Sequence, residues 1–423
     1  MQSKTLQRMK LKDIFTLVTK SVTPQPDVHY HLYSLPSFDE NQTREEVKGI
    51  DIMSNKLVVP NKCILFNKLN VRFKRVWMIE NQDSNKLAST EFLPLVVKED
   101  KVDFKFAYYL LVSDIVTNYL SGQNSNTSGS HKRINSEVLL DININLPSRA
   151  EQERIGKLLS ELDAKIAINR EINRNLEAMA RQLYDYWFVQ FDFPDENGRP
   201  YKSSGGKMVW NEKLKREIPE GWCVGNILSI CDIKVGGTPS KSNNIYWDKG
   251  AIPFFGPTDV SDNIYQLDTI DHITHEGLDH CASSLFQIGD VILTARGSIG
   301  KMVIVGEPMA MNQSCYALVP KYPNTPYLYF LSKELIEWLK AKGSGSVFKS
   351  FNAQDVEYSQ LCIAPKIIIT KFCNSVNCLF EQLRLHTQEI TKLIKQRDEL
   401  LPLLMNGQVS VMPSEVNCDL SLD

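Results

Sequence analysis

Residues 147–183 read PSRAEQERIGKLLSELDAKIAINREINRNLEAMARQL, and this stretch decides the architecture of the chain. Pro147, Ser148 and Glu151 fit the S-x-x-E capping box, in which the Ser and Glu side chains bind free amide groups of a helix's first turn. Apolar residues then recur every three or four positions, as expected for one side of a helix. We predict a first long helix over residues 147–190. Its apolar seam contains Ile155, Leu159, Leu162, Ile166, Ile172, Leu176, Met179 and Leu183.

A second seam with the same spacing lies near the carboxyl end, and it predicts a helix over residues 365–407. Asn406-Gly407 is a typical helix stop, and we expect Pro402 to kink the last turns. The second seam contains Phe372, Val376, Leu379, Leu383, Ile390, Leu393, Leu400 and Leu404.

Two helices of this length are too long for one small domain to cover. A helix of about forty residues spans about 60 Å. Because the two seams match, we predict that the helices pair as an antiparallel coiled coil with a globular region at either end, related by a pseudo-twofold axis. The alternative is that both helices are ordinary core elements.

The regions before the two helices repeat each other. Ala88–Lys98 (ASTEFLPLVVK) aligns with Met311–Lys321 (MNQSCYALVPK) at an offset of 223 residues, and Asn61–Lys68 (NKCILFNK) aligns with Gly289–Arg296 (GDVILTAR) at 228. Short β-like runs alternate there with Gly, Pro and Asn, so we predict a mixed α/β fold. The predicted parts are a first globular domain (1–146), the first helix (147–190), a turn-rich connector (191–217), a second globular domain (218–364), the second helix (365–407) and an acidic tail (408–423).

The formal charge of −2 and the pI near 6.4 are unusual for a DNA-binding protein, which normally needs a positive surface. The distribution of charge matters more than its sum. After Arg397 the chain has five acids and no Lys or Arg, so the preceding part is net positive. Two runs free of acids form basic patches, for which a solvated face is the alternative: Lys68, Arg72, Lys74 and Arg75, and then Lys340, Lys342 and Lys349.

Simple features predict a cytoplasmic, reduced protein. No stretch approaches the roughly 18 apolar residues of a membrane span, and the polar start is unlike a signal peptide. The nine cysteines include no C-x-x-C pair, which argues against a disulfide framework.

Signatures of common catalytic and metal sites are missing from the sequence. It contains neither an Asn/Asp-Pro-Pro-aromatic tetrad nor the G-x-S-x-G of serine hydrolases, and residues 295–302 (ARGSIGKM) depart from the phosphate-loop pattern. His272, His275, His280 and Cys281 lack the spacing of common zinc sites. We therefore expect no catalytic residue and no metal site.

Several motifs together resemble the specificity subunits of type I restriction-modification complexes. They are Pro147–Ile155 (PSRAEQERI), Asp192–Trp210 (DFPDENGRPYKSSGGKMVW), Ile218–Trp222 (IPEGW), Gly236–Ser240 (GGTPS), Tyr246-Trp247, Gly289-Asp290, Gly297–Gly300 (GSIG) and Asn312-Gln313. Two departures stand out. The second helix begins PKIIIT at Pro365 instead of repeating Ala150-Glu151-Gln152, and the first domain has only Thr23-Pro24 where the second has GGTPS.

The resemblance implies a division of labour between subunits. Each globular domain would read one half of a bipartite, asymmetric site in double-stranded DNA. The helix pair would dock two methyltransferase subunits, and restriction/translocase subunits would join them. This chain would bind no cofactor, since S-adenosylmethionine belongs to the methyltransferase and ATP and Mg belong to the restriction subunit.

Residues for DNA contact are chosen as exposed donors in turn-rich segments. In the first domain the candidates are Lys68, Arg72, Lys74, Arg75, Lys132 and Arg133, and in the second they are Lys241, Asn243, Asn244, Arg296, Ser298 and Lys349. Ordinary surface charge is the alternative for each. Two other functions stay open: a coiled-coil adaptor between proteins without DNA specificity, and an enzyme with an unrecognised site.

Overall fold

The protein is described by a computed structural model that covers residues 6–123, 133–261, 263–297, 299–342 and 350–412. By compactness the chain divides into a first unit (1–165 with 393–423) and a second unit (166–392). Each unit therefore contains one globular region and one segment of each long helix. No helix in these described ranges is both long and apolar enough to cross a membrane.

In its described residues the first unit combines eleven strands with five short α-helices. The strands are β1 (Gln7–Lys10), β2 (Phe15–Leu17), β3 (Ser21–Val22), β4 (His29–Tyr33), β5 (Glu45–Lys48), β6 (Lys56–Val58), β7 (Lys62–Asn67), β8 (Val76–Glu80), β9 (Lys86–Ala88), β10 (Phe92–Val97) and β11 (Asn143–Leu146). The helices are α1 (Leu11–Ile14), α2 (Leu35–Asn41), α3 (Phe104–Val112), α4 (Asp114–Gln123) and α5 (Ser136–Leu140).

Two sheets and one strand pair organise these elements. One sheet has the order β2-β10-β7-β8 and is antiparallel throughout, while the other has the order β3-β6-β9-β4-β5 with β4 and β9 parallel. Strand β1 pairs with β11. Strand β7 is central because both of its faces are apolar: Ile64 and Phe66 join one core cluster, and Cys63 and Leu65 join another.

The long first helix, α6 (Arg149–Tyr184), leads through a π-helical turn (Asp185–Val189) into the second globular region. The strands of the second globular region are β12 (Met208–Asn211), β13 (Arg216–Pro219), β14 (Cys223–Gly225), β15 (Cys231–Val235), β16 (Ile252–Phe255), β17 (Tyr265–Gln266), β18 (His272–Ile273), β19 (Val291–Thr294), β20 (Met302–Val305), β21 (Ala310–Met311), β22 (Cys315–Pro320) and β23 (Leu361–Ile363). Its helices are α7 (His275–Asp279), α8 (Thr325–Lys342), α9 (Ala353–Glu357) and the long α10 (Lys366–Met405).

The second region repeats the plan of the first, so the predicted mixed α/β fold and its internal repeat are confirmed. Its main sheet has the order β15-β22-β19-β20-β17, which adds β17 to a copy of β2-β10-β7-β8. Strands β10 and β22 begin at Phe92 and Cys315, which are the predicted 223 residues apart. In the smaller sheet β16 pairs in parallel with β21, as β4 does with β9.

The long helices pair in antiparallel fashion within each unit. In the first unit Arg397 of α10 donates to Asp163 of α6 over 2.9 Å. In the second, Asn173 donates to Thr387 over 3.3 Å, and the Phe188 and Phe372 rings are 5.0 Å apart. Early residues of α6 thus contact late residues of α10, and the reverse.

Burial along the seam follows the predicted apolar positions with one exception. Nine predicted residues are buried, namely Ile155, Leu159, Ile166, Phe372, Val376, Leu383, Ile390, Leu393 and Leu404. Six are half-buried, namely Leu162, Ile172, Leu176, Leu183, Leu379 and Leu400. Placing Met179 on the seam was wrong, because its side chain is 55% exposed and the neighbouring Ala180 is buried instead.

The helices also complete the core of each unit, so the core-element alternative describes part of their role. In the first unit Leu401 and Leu404 of α10 share a cluster with Leu11 and Leu110. In the second, Tyr184 of α6 lies among buried aromatic residues of the globular region. Neither globular region closes its core with its own sequence alone.

The two long helices begin differently. The Ser148 hydroxyl accepts a hydrogen bond from the Glu151 amide, as the capping box predicts. The Glu151 carboxylate binds Arg154 and the Val411 amide in place of the amide at the helix start that the capping box predicts. The buried Gln152 donates to the Pro147 carbonyl and accepts from the Asp103 amide over 2.9 Å. The departure at PKIIIT does not prevent a helix, since α10 begins at Lys366 with the apolar Ile369 fully buried.

The connector is more ordered than its turn-rich composition predicts. Phe191 and Phe193 are buried, and the centres of their rings lie 5.3 and 5.2 Å from the centre of the Trp222 ring. Asp192 accepts from the amide and hydroxyl of Ser203, and this binding of the charged form holds the pKa of its carboxyl below its usual value despite desolvation. These residues join the second unit's core.

Candidate nucleic-acid interface

One edge of the second unit's main sheet gathers the loops that carry most of the sequence motifs. Strands β15 and β19 end there, at Val235 and Thr294, while β20 and β22 begin there, at Met302 and Cys315. Because neighbouring strands in this order are antiparallel, these four ends lie at the same edge. The edge therefore presents GGTPS, the β19–β20 loop and the Asn312-Gln313 turn together.

Close backbone contacts hold this second-unit edge. A side chain at Gly236 would bring a Cβ within 2.1 Å of the Asn312 carbonyl oxygen, and one at Gly237 would meet Ala282 at 2.7 Å. The Thr238 hydroxyl donates to the exposed Gln313 side chain. Glycine is required at 236 and 237 because the GGTPS loop lies directly against the Asn312-Gln313 turn. This packing brings Thr238 to the Gln313 side-chain amide and so fixes the position of that amide.

The predicted contacts in the following loop have unequal roles. Asn243 accepts from the Ile245 amide over 3.2 Å and so begins a 3-10 turn (Asn244–Tyr246). The Lys241 ammonium lies 5.6 Å from the centre of the Trp247 ring, a cation–π contact. Asn244 is exposed. Lys241 and Asn244 are thus available to a ligand, whereas Asn243 also maintains the turn.

Arg296 lies in the β19–β20 loop and is exposed. Its backbone forms an isolated β-bridge with Ser350, and Gly297 and Gly300 adopt φ of 78° and 76°. A strand follows this loop, since β20 begins at Met302. Arg296 makes no ion pair with any residue that the structure describes. Two further predicted contacts, Ser298 and Lys349, lie outside the described residues.

The first unit presents an equivalent edge. Residues 68–75 join β7 to β8, as residues 295–301 join β19 to β20. Leu69 bridges to Arg133 just as Arg296 bridges to Ser350. The candidates Lys68, Arg72, Lys74, Arg75 and Arg133 therefore come together at this edge. Lys132 lies outside the described residues.

Ion pairs occupy three of these first-unit cations. Lys74 binds Asp114 at 2.6 Å, and Arg75 binds both carboxylate oxygens of Asp39 at 2.6 and 2.7 Å. Arg133 forms a two-pronged pair with Glu91, with a closest approach of 2.7 Å. Hydrogen bonding to Arg133 lowers the pKa of the Glu91 carboxyl. Lys68 and Arg72 have no ion-pair partner in the described ranges.

Gln313 and Glu91, in the turns before β22 and β10, were not among the predicted DNA contacts. Gln313 precedes β22, and Glu91 immediately precedes β10. The alignment at offset 223 pairs Glu91 with Ser314, the neighbour of Gln313. The aligned starts of β10 and β22 were a usable signal, because an antiparallel strand that begins at an edge places the preceding turn there.

Contacts within the chain hold side chains of the histidine-rich segment. His280 stacks on Tyr246 with ring centres 5.2 Å apart, and His272 lies 2.8 Å from the Asp268 carboxylate. Among the residues described, no group of three His, Cys, Asp or Glu side chains is placed to hold a metal ion.

Comparison with known proteins identifies a family. Its sequence model, described as "Type I restriction modification DNA specificity domain", matches residues 3–178 and 219–368. The type I restriction enzyme HindI specificity subunit of Haemophilus influenzae is 23% identical over 404 residues, covering 84% of this chain and 88% of that protein. The MjaIX specificity subunit of Methanocaldococcus jannaschii is 24% identical over 399 residues, covering 92% and 86%.

A solved structure shares the fold. The type I restriction-modification system S subunit from M. genitalium aligns with a TM-score of 0.57 and 15% identity over 96% of this chain and 97% of that chain. The likeness extends over nearly the whole length of both proteins.

Proposed function

Because the chain belongs to the type I restriction-modification DNA specificity family, we propose that its two globular regions each read one half of a bipartite, asymmetric DNA site. One observation carries the proposal: the same sheet edge occurs in both units, and each copy presents an exposed arginine, Arg72 in one and Arg296 in the other. Arginine is the side chain best suited to guanine edges and phosphates. Different loops at equivalent edges suit two different half-sites.

The proposal includes partner subunits. The helix segments of the second unit expose apolar side chains, namely Ile168 and Met179 on α6 and Ile367 and Leu385 on α10. Another protein typically covers exposed apolar side chains where they form a contiguous patch. We propose that two methyltransferase subunits dock on the helix pair and that restriction subunits join through them.

In this arrangement the chain recognises DNA and does not catalyse. The methyltransferase would bring S-adenosylmethionine, and the restriction subunit would bring ATP and Mg. The loops at the two edges supply hydrogen-bond donors and cations, which is the chemistry of recognition.

The test is to express the chain with its partner methyltransferase in a methylation-free host and to map modified adenines across the genome. A single two-part motif with a fixed gap is the expected result. A stable complex that leaves no motif would contradict the proposal and favour a protein adaptor. Binding of the complex to the motif should also weaken steeply with added salt, because phosphate contacts release counterions.

A further inference from the structure

Phe73 is an exposed aromatic residue in the loop that joins β7 to β8. Its side chain is 58% exposed and stands between Arg72 and Lys74. The backbone fixes its position: the Phe73 amide donates to the Asn70 carbonyl over 3.1 Å, and Asn70 adopts a φ of 52°. The loop therefore holds an apolar ring among cations at the proposed DNA-facing edge.

The ring rests on a guanidinium that is itself fixed. The central carbon of Arg75 lies 5.0 Å from the centre of the Phe73 ring. The same guanidinium binds both carboxylate oxygens of Asp39 on α2, and its side chain is only 19% exposed. Arg75 is thus a support for the ring, and it donates from Nε and Nη2 to Asp39.

This support limits what the ring can bind. A ring stacked fully between two base pairs would use both of its faces, and Arg75 lies over one face of Phe73. The free face and edge can still reach into a groove. There the apolar group that a duplex offers is the 5-methyl of thymine, in the major groove.

We propose that Phe73 reads a thymine by contacting its 5-methyl group, with Arg75 and Asp39 as positioning residues. The inference rests on the proposed DNA-reading function and adds a specificity-determining contact to it. The second unit has no equivalent exposed ring at this position. When Val76 and Met302, the first residues of the equivalent strands β8 and β20, are aligned, Phe73 pairs with Ile299. The Ile299 side chain is half-buried against the second unit's core.

The test measures binding of the full complex with its methyltransferase to the mapped motif. Each thymine of the motif, on either strand, is replaced in turn by deoxyuridine, which lacks only the methyl group. For the wild-type complex, one replacement should weaken binding about fourfold, the value of one buried methyl group. Phe73→Ala should weaken binding to thymine DNA by a similar factor and should not distinguish thymine from deoxyuridine at that position.

Matched variants separate this contact from other effects. Phe73→Leu should retain part of the discrimination, and Asp39→Asn should reduce it by loosening Arg75. Trp210→Ala removes an aromatic side chain of similar exposure, 55%, from the separate β12–β13 hairpin and should change nothing.

Three results would overturn the inference. They are wild-type binding that no deoxyuridine replacement weakens, unchanged discrimination in Phe73→Ala, or loss of methyltransferase binding by Phe73→Ala in the absence of DNA. Failure of the proposed function would look different, because the wild-type complex would then produce no motif at all.

Discussion

In the first unit ion pairs add to the backbone hydrogen bonds of the loop between β7 and β8, whereas in the second the loop between β19 and β20 is held by backbone hydrogen bonds and the Thr294 hydroxyl. Lys74 and Arg75 bind Asp114 and Asp39. In the second unit the hydroxyl of Thr294 donates to the Lys301 carbonyl over 3.1 Å and accepts from the Lys301 amide over 3.2 Å, which closes the loop without a charge. Equivalent places in a repeat have thus been stabilised by different chemistry.

The difference shows that a run of cations in the sequence does not reveal which of them already have an ion-pair partner. In the first unit Lys74, Arg75 and Arg133 are held by acids from elsewhere in the sequence, which no local reading of charge reveals. In the second unit Arg296 lacks such a partner among the described residues and extends from a loop held by its backbone. Each of the following variants tests this contrast.

The largest effect is expected from Gly236→Ala. The added Cβ would lie 2.1 Å from the Asn312 carbonyl oxygen, so the loop or the turn must move. Overpacking against backbone should cost about 3 kcal/mol of stability. Thermal unfolding measures this, and methylome mapping should show a degraded second half-site. Gly225→Ala is the control, since its Cβ would meet nothing within 4 Å. Equal behaviour of the two variants would refute the backbone explanation.

The next effect concerns Arg296. If it reads a base with two hydrogen bonds, Arg296→Ala should weaken binding of the complex by about 2 kcal/mol and relax one position of the motif. Arg296→Lys keeps the charge but loses the planar fork, so it should relax the same position. If the lysine variant restores full specificity, Arg296 contacts only phosphate.

A smaller effect should separate Arg75 from Arg72. Arg75→Ala removes a two-pronged ion pair with a mostly buried side chain and should destabilise the first unit by about 1 kcal/mol. Arg72→Ala should leave stability unchanged and weaken DNA binding. Denaturant unfolding and binding titrations measure the two effects, and a stable Arg75→Ala protein would break the comparison.

The smallest effect is expected from Glu91→Gln. Loss of the carboxylate frees Arg133, so binding should become more salt-dependent by about one phosphate contact. The pKa of the Glu91 carboxyl is lowered in the folded protein. Its ion pair with Arg133 therefore stabilises the folded state fully at pH values above the unfolded carboxyl pKa of about 4.3. This stabilisation is lost as pH falls through the folded pKa, and the variant should lack that acid dependence. An unchanged salt slope would show that Arg133 stays away from DNA.

The repeat and the helix pair were predictable because they depend on local periodicity. The offset of 223 residues placed β10 and β22 correctly, and three-and-four spacing found both seams. The seam prediction was wrong beyond a polar residue on the buried side of α6. Asn169 is buried there, and farther along the helix Ala180 is buried instead of Met179. A polar residue inside a seam gives no apolar signal.

The candidate site was predictable only as a set of loops. Strand ends follow from the alignment, so the edge could be located from sequence. The partners of its cations could not, because Asp39 and Arg75 are separated by 36 positions, and Glu91 and Arg133 by 42. Packing of Phe191 and Phe193 onto Trp222 was hidden for the same reason, since a turn-rich composition does not reveal a long-range contact.

The sharing of both helices between two cores sets an order for folding during synthesis. The buried members of the second unit's main cluster all lie between Ala180 and Leu383, whereas the first unit's main cluster extends from Leu11 to Met405. A ribosome therefore releases every residue of the second core before the last residues of the first. Domains usually fold in the order of translation. Here the first globular region is synthesised first but completes its core last. Until Leu401 and Leu404 leave the ribosome, the apolar residues that they pack against stay exposed unless another protein binds them.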